Sequence, residues 1–314
     1  MKPDVLIAGS LMPHVRAALD AAYATHDLVG APDRQALLRE IGPRIRAIAT
    51  STFDGCPVAL MEACPKVEII ASFGVGVDSL NVEDARRRGI VVANTPDVLN
   101  DDVANMAVAL VLATTRNIVA NDRYVRAGRW KREGDPPLAR GLAGRRVGIV
   151  GFGRIGKAIA RKLGVFGCEI VYHTRNPQPD QPFRHYPDLV EMARDSALLV
   201  VITPGGAATQ NLIDRAVMDA LGPEGILVNV ARGSVVDEAA LVAALQEGRL
   251  GGAGLDVFAR EPDVPEALFA MENVVLQPHQ ASATRETRRA MGDLVVTNLA
   301  AHFEGRPHDV RRVV

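Results

Sequence analysis

The chain has 314 residues, more than one ordinary core accommodates, so two domains are expected. Hydrophobic residues make up 48% and charged residues 23%, with a net charge of −1, which offers nothing to attract nucleic acid or an acidic membrane. Cys56, Cys64 and Cys168 are odd in number, widely spaced and outside any C-x-x-C, which points to reduced thiols in a cytoplasmic setting and to no metal site.

The opening "MKPDVLIAGS" carries an apolar run too short for a signal peptide and reads as a first strand. "PHVRAALDAAYAT" follows as a helix. "HDLVG", "IRAIATS", "VEIIASFG" and "IVVANTP" then alternate with helical patterns, so the first hundred residues predict a parallel sheet wrapped by helices. Residues 100–130 hold no Pro, and no Gly before Gly128. With Asp101 and Asp102 at the start they predict one long helix bridging two domains. That helix has Asn105 inside it and is too short an apolar stretch to span a bilayer. Basic runs at 85–89 and 286–291 have acids nearby and read as solvated helix faces. A polar Pro/Gly-rich loop covers 131–144.

A second series of strands begins at "VGIV" and continues through "EIVYH", "ALLVVIT", "GILVNVA", "GAGLDVF" and "NVVLQP". The fold class expected is α/β: two Rossmann-like or flavodoxin-like domains with parallel sheets and a cleft between them. The last helical pattern, 282–305, is stopped by Gly305 and is expected to return to the first domain. That gives a discontinuous domain of 1–98 plus 286–314 and a dinucleotide-binding domain of 99–285.

"VGIVGFGRIGKAIA" places Gly151, Gly153 and Gly156 at G-x-G-x-x-G spacing between a strand and a helix. Gly151 permits the tight turn, Gly153 admits a pyrophosphate, and Gly156 lets helix pack on strand. The backbone N–H groups of Arg154 and Ile155 then face phosphates at the positive end of the helix. An NAD site of this kind carries an acid about 20 residues further on. Counting 18 past Gly156 lands on Thr174 instead. Arg175 beside it can pair with a 2′-phosphate, and His173 and Thr174 can add donors. The charge argument favours NADP(H). NAD(H) stays open, because a solvated Arg175 leaves the protein indifferent between the two.

Arg232, Glu261 and His279 follow the fourth, fifth and sixth strands of the second series, at the sheet edge where ligands bind. Singly each has a bland reading: a helix cap, a turn before Pro262, a turn after Pro278. Jointly they suit a 2-keto acid. A guanidinium holds the carboxylate and carbonyl, an imidazolium gives a proton to the oxygen as hydride arrives, and the carboxylate keeps the ring charged and oriented.

"GFGRIG", "NVARGSVVDE", "GGAGLDVFAREP" and "LQPHQASAT" resemble the D-isomer-specific 2-hydroxyacid dehydrogenases. The order and spacing of 72–104 and 250–303 resemble the glyoxylate/hydroxypyruvate reductase branch, which includes hydroxyphenylpyruvate reductases. The resemblance covers nearly the whole chain. It implies a catalytic triad of Arg232, Glu261 and His279, and a substrate carboxylate bound by backbone N–H groups near Val75 and Gly76. It implies cofactor contacts at Thr203, Pro204, Val230 and Asp256, and a homodimer built through the coenzyme domains. NADPH preference is common in that branch. The activity implied is NADPH-dependent reduction of glyoxylate, hydroxypyruvate or arylpyruvates to D-2-hydroxy acids. The alternative is a cofactor-sensing binding protein, since the family contains corepressors of the same fold. Two readings of Trp130 stay open: packing after the long helix, or reaching the partner's substrate pocket. Phe53, Phe73 and Leu99 are candidate pocket residues. Gly206 and Gln280 depart from the family pattern and put the loop after the third strand and the pocket rim in doubt.

Overall fold

Residues 2–314 are described by a computed structural model, and they form two parallel sheets, one in each of two units. One unit comprises residues up to Leu99 together with Thr284–Val314, and the other comprises Asn100–Ala283.

In the first unit, strands β1 (Asp4–Ile7), β2 (Ala24–Asp27), β3 (Ile45–Ser51), β4 (Ile69–Phe73) and β5 (Val91–Ala93) lie in the order β2-β1-β3-β4-β5. Every pair is parallel, and this is the flavodoxin-like order. All five residues of β4, and all but Arg46 in β3, are buried, which is why these strands read as continuous apolar runs without alternation. An edge strand leaves backbone groups unpaired. Here the C-terminal residues cover the β5 edge: Val313 donates to the Val92 carbonyl at 2.7 Å, and Ala93 bridges Arg312 in antiparallel sense. The helix Arg285–Phe303 belongs to this unit. Its Thr284 cap accepts from the Thr287 amide, and Gly305 beyond its end takes φ 70°.

In the second unit, β6 (Arg146–Val150), β7 (Glu169–His173), β8 (Arg184–His185), β9 (Leu198–Val201), β10 (Ile226–Asn229), β11 (Gly252–Leu255) and β12 (Val274–Leu276) lie in the order β12-β11-β10-β9-β6-β7-β8. The chain reverses direction across the sheet between β6 and β9, which is the switch point of a Rossmann sheet. Six of the seven strands are those read from the sequence. The seventh, β8, spans only two residues, too few to carry a periodic signal.

The predicted single helix over 100–130 is not what forms. Three helices occupy the segment, Asn100–Thr115, Ile118–Arg126 and Arg129–Glu133, and the first two are bent 58° from one another. Asn117 at φ 52° and Gly128 at φ 65° make the breaks. Absence of Pro and Gly argued for continuity, but Asn is the next residue that tolerates the left-handed region. Thr115 adds to the break by turning its hydroxyl back onto the Val111 carbonyl at 2.6 Å. The first of these helices lies on β11, where a Cβ added to Gly254 would stand 3.0 Å from Thr114 Oγ1 and 3.1 Å from Leu110 Cβ. Among the described residues no single helix is long and apolar enough to cross a membrane. Burial pushes the Cys56 thiol up to about 12 and the Cys64 thiol up to about 11, so both stay protonated and unreactive.

Because the turn at residue 117 needs a positive φ, Asn117→Ala is expected to destabilise the protein by about 1 kcal/mol. Urea unfolding checks this: the midpoint should fall with the slope unchanged, and an unmoved midpoint would contradict the strain assigned to this turn.

Candidate active site

The carboxyl ends of β10, β11 and β12 deliver Arg232, Glu261 and His279. Their strands are parallel neighbours, with Asn229 opposite Leu255 and Leu255 opposite Leu276. Asn229 shapes the first loop: its side chain donates to the Arg232 carbonyl at 3.0 Å and accepts from the Ala231 amide at 3.0 Å. Gly233 lets this loop press on the next one, since an added Cβ would lie 1.9 Å from the Phe258 carbonyl carbon. Glu261 then reaches back with one oxygen to the Phe258 amide at 3.1 Å and with the other to His279 Nδ1 at 2.7 Å. Burial pushes the Glu261 carboxyl up, but the His279 hydrogen bond and charge, the Phe258 amide and the Arg232 charge outweigh it. The group sits below its usual range and is a carboxylate at neutral pH.

His279 takes φ 54°, a strained conformation for a side chain of this size. What holds it is Asp256, which sequence reasoning had placed only against a cofactor. The His279 amide donates to the Asp256 carbonyl at 2.8 Å. The Asp256 side chain, 1% exposed, accepts from the Gln280 amide at 2.7 Å and the Ala281 amide at 3.0 Å. Burial raises this carboxyl above its usual range against the pull of the two amides. Two acids in one site thus differ in their work: Glu261 faces the imidazole, and Asp256 fixes the backbone that carries it.

The glycine turn after β6 has the shape a dinucleotide needs. Gly151 has φ 94°, and a Cβ there would meet Ile202 O at 2.8 Å and Thr203 N at 2.9 Å. A Cβ on Gly156 would stand 2.4 Å from Gly151 O, so helix and turn touch backbone to backbone. At Gly153 nothing lies within 4 Å, and the helix Arg154–Val165 starts there without a side-chain cap. The amides of Arg154 and Ile155 thus open its positive end. Thr203, just past β9 and against Gly151, has a buried hydroxyl oxygen with no hydrogen-bond partner among the described residues. This orphaned polar atom beside the glycine turn, with the open amides of Arg154 and Ile155, makes a donor set that fits a dinucleotide. Pro204 is exposed beside it, and Val230 is buried at the end of β10. Gly206 has φ 120° and open space around it, so no side chain fills that loop.

Beyond β7 the three candidate donors are not equivalent. His173 turns Nδ1 to the Tyr186 carbonyl at 2.9 Å, and Thr174 donates its hydroxyl to the Asn176 carbonyl at 2.6 Å. Arg175 is exposed and makes no hydrogen bond or ion pair among the described residues. Its guanidinium is a donor set at this strand end that the protein does not itself consume. Gln178 ties this loop to the glycine turn by donating to the Phe152 carbonyl at 2.9 Å.

In the first unit, "SFGVGVD" spans the end of β4 and the loop that follows it. Gly74 there has φ 136°, and a Cβ would be 2.3 Å from Thr52 Cγ2. Val75 and Gly76 lie just beyond it. Phe53 is largely exposed at the end of β3, whereas Phe73 and Leu99 are buried. Phe73 is covered by the Arg288 guanidinium, 5.6 Å from its ring centre. Trp130 is 57% exposed, with its indole nitrogen donating to Asp135 at 2.9 Å, so it does not pack into its own unit. Gln280, also exposed, donates to the Pro278 carbonyl at 3.1 Å and adds polarity beside His279.

Residues 108–281 match the family described as D-isomer specific 2-hydroxyacid dehydrogenase, NAD binding domain. The chain is 47% identical over 302 residues to a 2-ketogluconate reductase of Gluconobacter oxydans, covering 96% of each. It is 46% identical over 303 residues to a hydroxyphenylpyruvate reductase of Plectranthus scutellarioides, again covering 96% of each. Among solved structures it resembles an NADPH-dependent glyoxylate/hydroxypyruvate reductase from Sinorhizobium meliloti in complex with NADP and malonate. That TM-score is 0.92, with 46% identity and full coverage of both chains. A glycine turn shaped for a dinucleotide, a carboxylate–imidazole pair at the adjoining strand ends, and likeness along the whole chain lead to one conclusion: this protein is an enzyme of the D-isomer specific 2-hydroxyacid dehydrogenase family.

Proposed function

We propose that the protein reduces small 2-keto acids to D-2-hydroxy acids with NADPH, using Arg232, Glu261 and His279. The observation that carries this is the 2.7 Å bond from His279 to a charge-holding Glu261, beside Arg232. Bound NADPH supplies the hydride. Arg232 holds the substrate carboxylate and carbonyl in one planar grip. With Nδ1 turned to Glu261, His279 gives up the proton on Nε2 as negative charge builds on the carbonyl oxygen. Glu261, hydrogen-bonded to Nδ1, fixes the ring and its tautomer. In the discontinuous unit, the substrate-binding domain of this reading, the amides of Val75 and Gly76 take the carboxylate. Gly151, Gly153, Arg154, Ile155, Gly156, Thr203, Pro204, Val230 and Asp256 form the cofactor site.

NADPH is the preferred donor in this proposal because Thr174 stands where an NAD site has an acid and Arg175 beside it is uncommitted. The Sinorhizobium meliloti neighbour, NADPH-dependent by name, agrees with this. The substrate range proposed is glyoxylate, hydroxypyruvate and arylpyruvates. The Gluconobacter relative adds 2-ketogluconate to the compounds worth testing. The enzyme is proposed to work as a homodimer in the cytoplasm, with exposed Trp130 near the interface.

The central test follows nicotinamide absorbance with glyoxylate, hydroxypyruvate, pyruvate, phenylpyruvates and 2-ketogluconate, each with NADPH and NADH. Turnover with NADPH is expected, and failure with all of them would end the proposal. His279→Ala should lower kcat on the best substrate by about 10²- to 10⁴-fold. Glu261→Gln removes the charge opposite the imidazolium. The variant should lower kcat by about tenfold or more with KM for NADPH little changed, and an unchanged kcat would remove Glu261 from this role. Arg175→Ala should raise KM for NADPH about tenfold or more, the loss of a charge-assisted contact. KM for NADH should hardly change, and equal effects on both would refute the selectivity argument.

A further inference from the structure

Backbone amides that bind an anion are useful only if their peptide planes are held. In a trans peptide the carbonyl of one residue and the N–H of the next point in opposite directions. Fixing the Gly74 carbonyl therefore aims the Val75 N–H, and fixing the Val75 carbonyl aims the Gly76 N–H. The structure holds both carbonyls. The Thr95 amide donates to the Gly74 carbonyl at 3.0 Å, and the Thr95 hydroxyl accepts from the Gly74 amide at 3.1 Å. The Asn94 side chain donates to the Val75 carbonyl at 2.9 Å.

Asn94 is itself locked from the far end of the chain. Its carbonyl accepts from the Asn298 side chain at 3.0 Å, and Asn298 Oδ1 accepts from the Arg311 amide at 2.8 Å. The Asn94 amide donates back to the Arg311 carbonyl at 3.2 Å, beside the C-terminal residues that pair with β5. Asn298 is fully buried and Asn94 nearly so. Buried side-chain amides are costly unless their bonds are made, so the two stand or fall together.

We propose that Asn94 is a positioning residue for substrate binding: it orients the Val75–Gly76 peptide so that its N–H faces the substrate carboxylate, with Asn298 and the Arg311 backbone as its anchor. This rests on the reading that Val75 and Gly76 bind that carboxylate. Asn94 touches no substrate and takes no part in hydride or proton transfer. Its loss should therefore appear in KM for the keto acid and not in kcat.

The experiment compares Asn94→Ala with the unsubstituted enzyme in two measurements. In steady-state kinetics, KM for the preferred 2-keto acid should rise about tenfold, with kcat and KM for NADPH changed less than twofold. In amide hydrogen exchange of the full chain, Gly74 and Thr95 should exchange faster, while amides of β3 and of the glycine-turn helix should not. An unchanged KM alongside faster exchange would reduce Asn94 to a structural residue, and unchanged exchange would overturn the proposal outright. If the unsubstituted enzyme turns over no keto acid, the proposed function fails on its own account. The exchange measurement still decides whether Asn94 holds the loop. Deletion of residues 310–314 should move both readouts in the same direction as Asn94→Ala.

Discussion

Parallel pairing is the constraint on which the site depends. In an antiparallel sheet successive strand ends alternate between two edges. In a parallel one every carboxyl end arrives at the same edge. With β10, β11 and β12 side by side, three loops well separated in sequence become neighbours without any long-range instruction beyond strand register. Register is in turn fixed by burial, since the strands are apolar on both faces and a slip by one residue would change which side chains meet each layer. Gly233 completes the arrangement by allowing contact between the Arg232 loop and the Phe258 backbone that no larger residue permits.

The electrostatics follow from where that edge puts each acid. Two carboxylates near one imidazole would repel if both faced it, and burial would protonate the less supported of them. The structure separates them. Asp256 is surrounded by protein, and its two oxygens are engaged by backbone amides. Glu261, its side chain 25% exposed, collects an imidazole, an amide and the field of a guanidinium. Pairs of acids pushed apart in this way are a recurring means of assigning one to charge stabilisation and the other to a different task. Here the second task is mechanical. A histidine at φ 54° stays there only because the bonds around it specify the turn more strongly than local preference opposes it.

How much of this the sequence carried depends on the physical length of each signal. Six strands of the second sheet and four of the first were legible because buried parallel strands are continuous apolar runs, whereas the edge strand Ala24–Asp27 is polar and unburied and starts two residues before the run read for it, inside the segment read as helix. The glycine turn was legible because three glycines at fixed spacing have few other uses between strand and helix. The two-residue β8 left no pattern to read. The break at Asn117 was missed because the left-handed region was sought at glycine alone. Arg232, Glu261 and His279 could be placed at strand ends, but the clamp by Asp256 could not. Its signal is a carboxylate accepting from amides 24 and 25 residues away, a matter of tertiary structure. The same holds for His173 and Thr174: residue type suggested donors for a phosphate, and only the fold reveals that one ring nitrogen and one hydroxyl are engaged elsewhere.

Anion binding by main-chain amides sharpens this limit. Every residue but proline has an N–H, so the residue types at Val75 and Gly76 say little about whether they bind a carboxylate. What distinguishes them is the direction of two peptide planes, which is set by residues that touch no ligand. Gly74 supplies the conformation at φ 136°, Thr52 leaves it no room for a side chain, and Asn94 and Thr95 take the carbonyls. A guanidinium such as Arg232 announces its chemistry by its identity. A pair of amides acquires the same chemistry only through its supports, and these lie just past β5, in the helix Arg285–Phe303 and at the C-terminus. In the proposed reading, then, the loop and the strand end bind an anion by different means. The residues that determine the loop's share are the buried asparagines behind it.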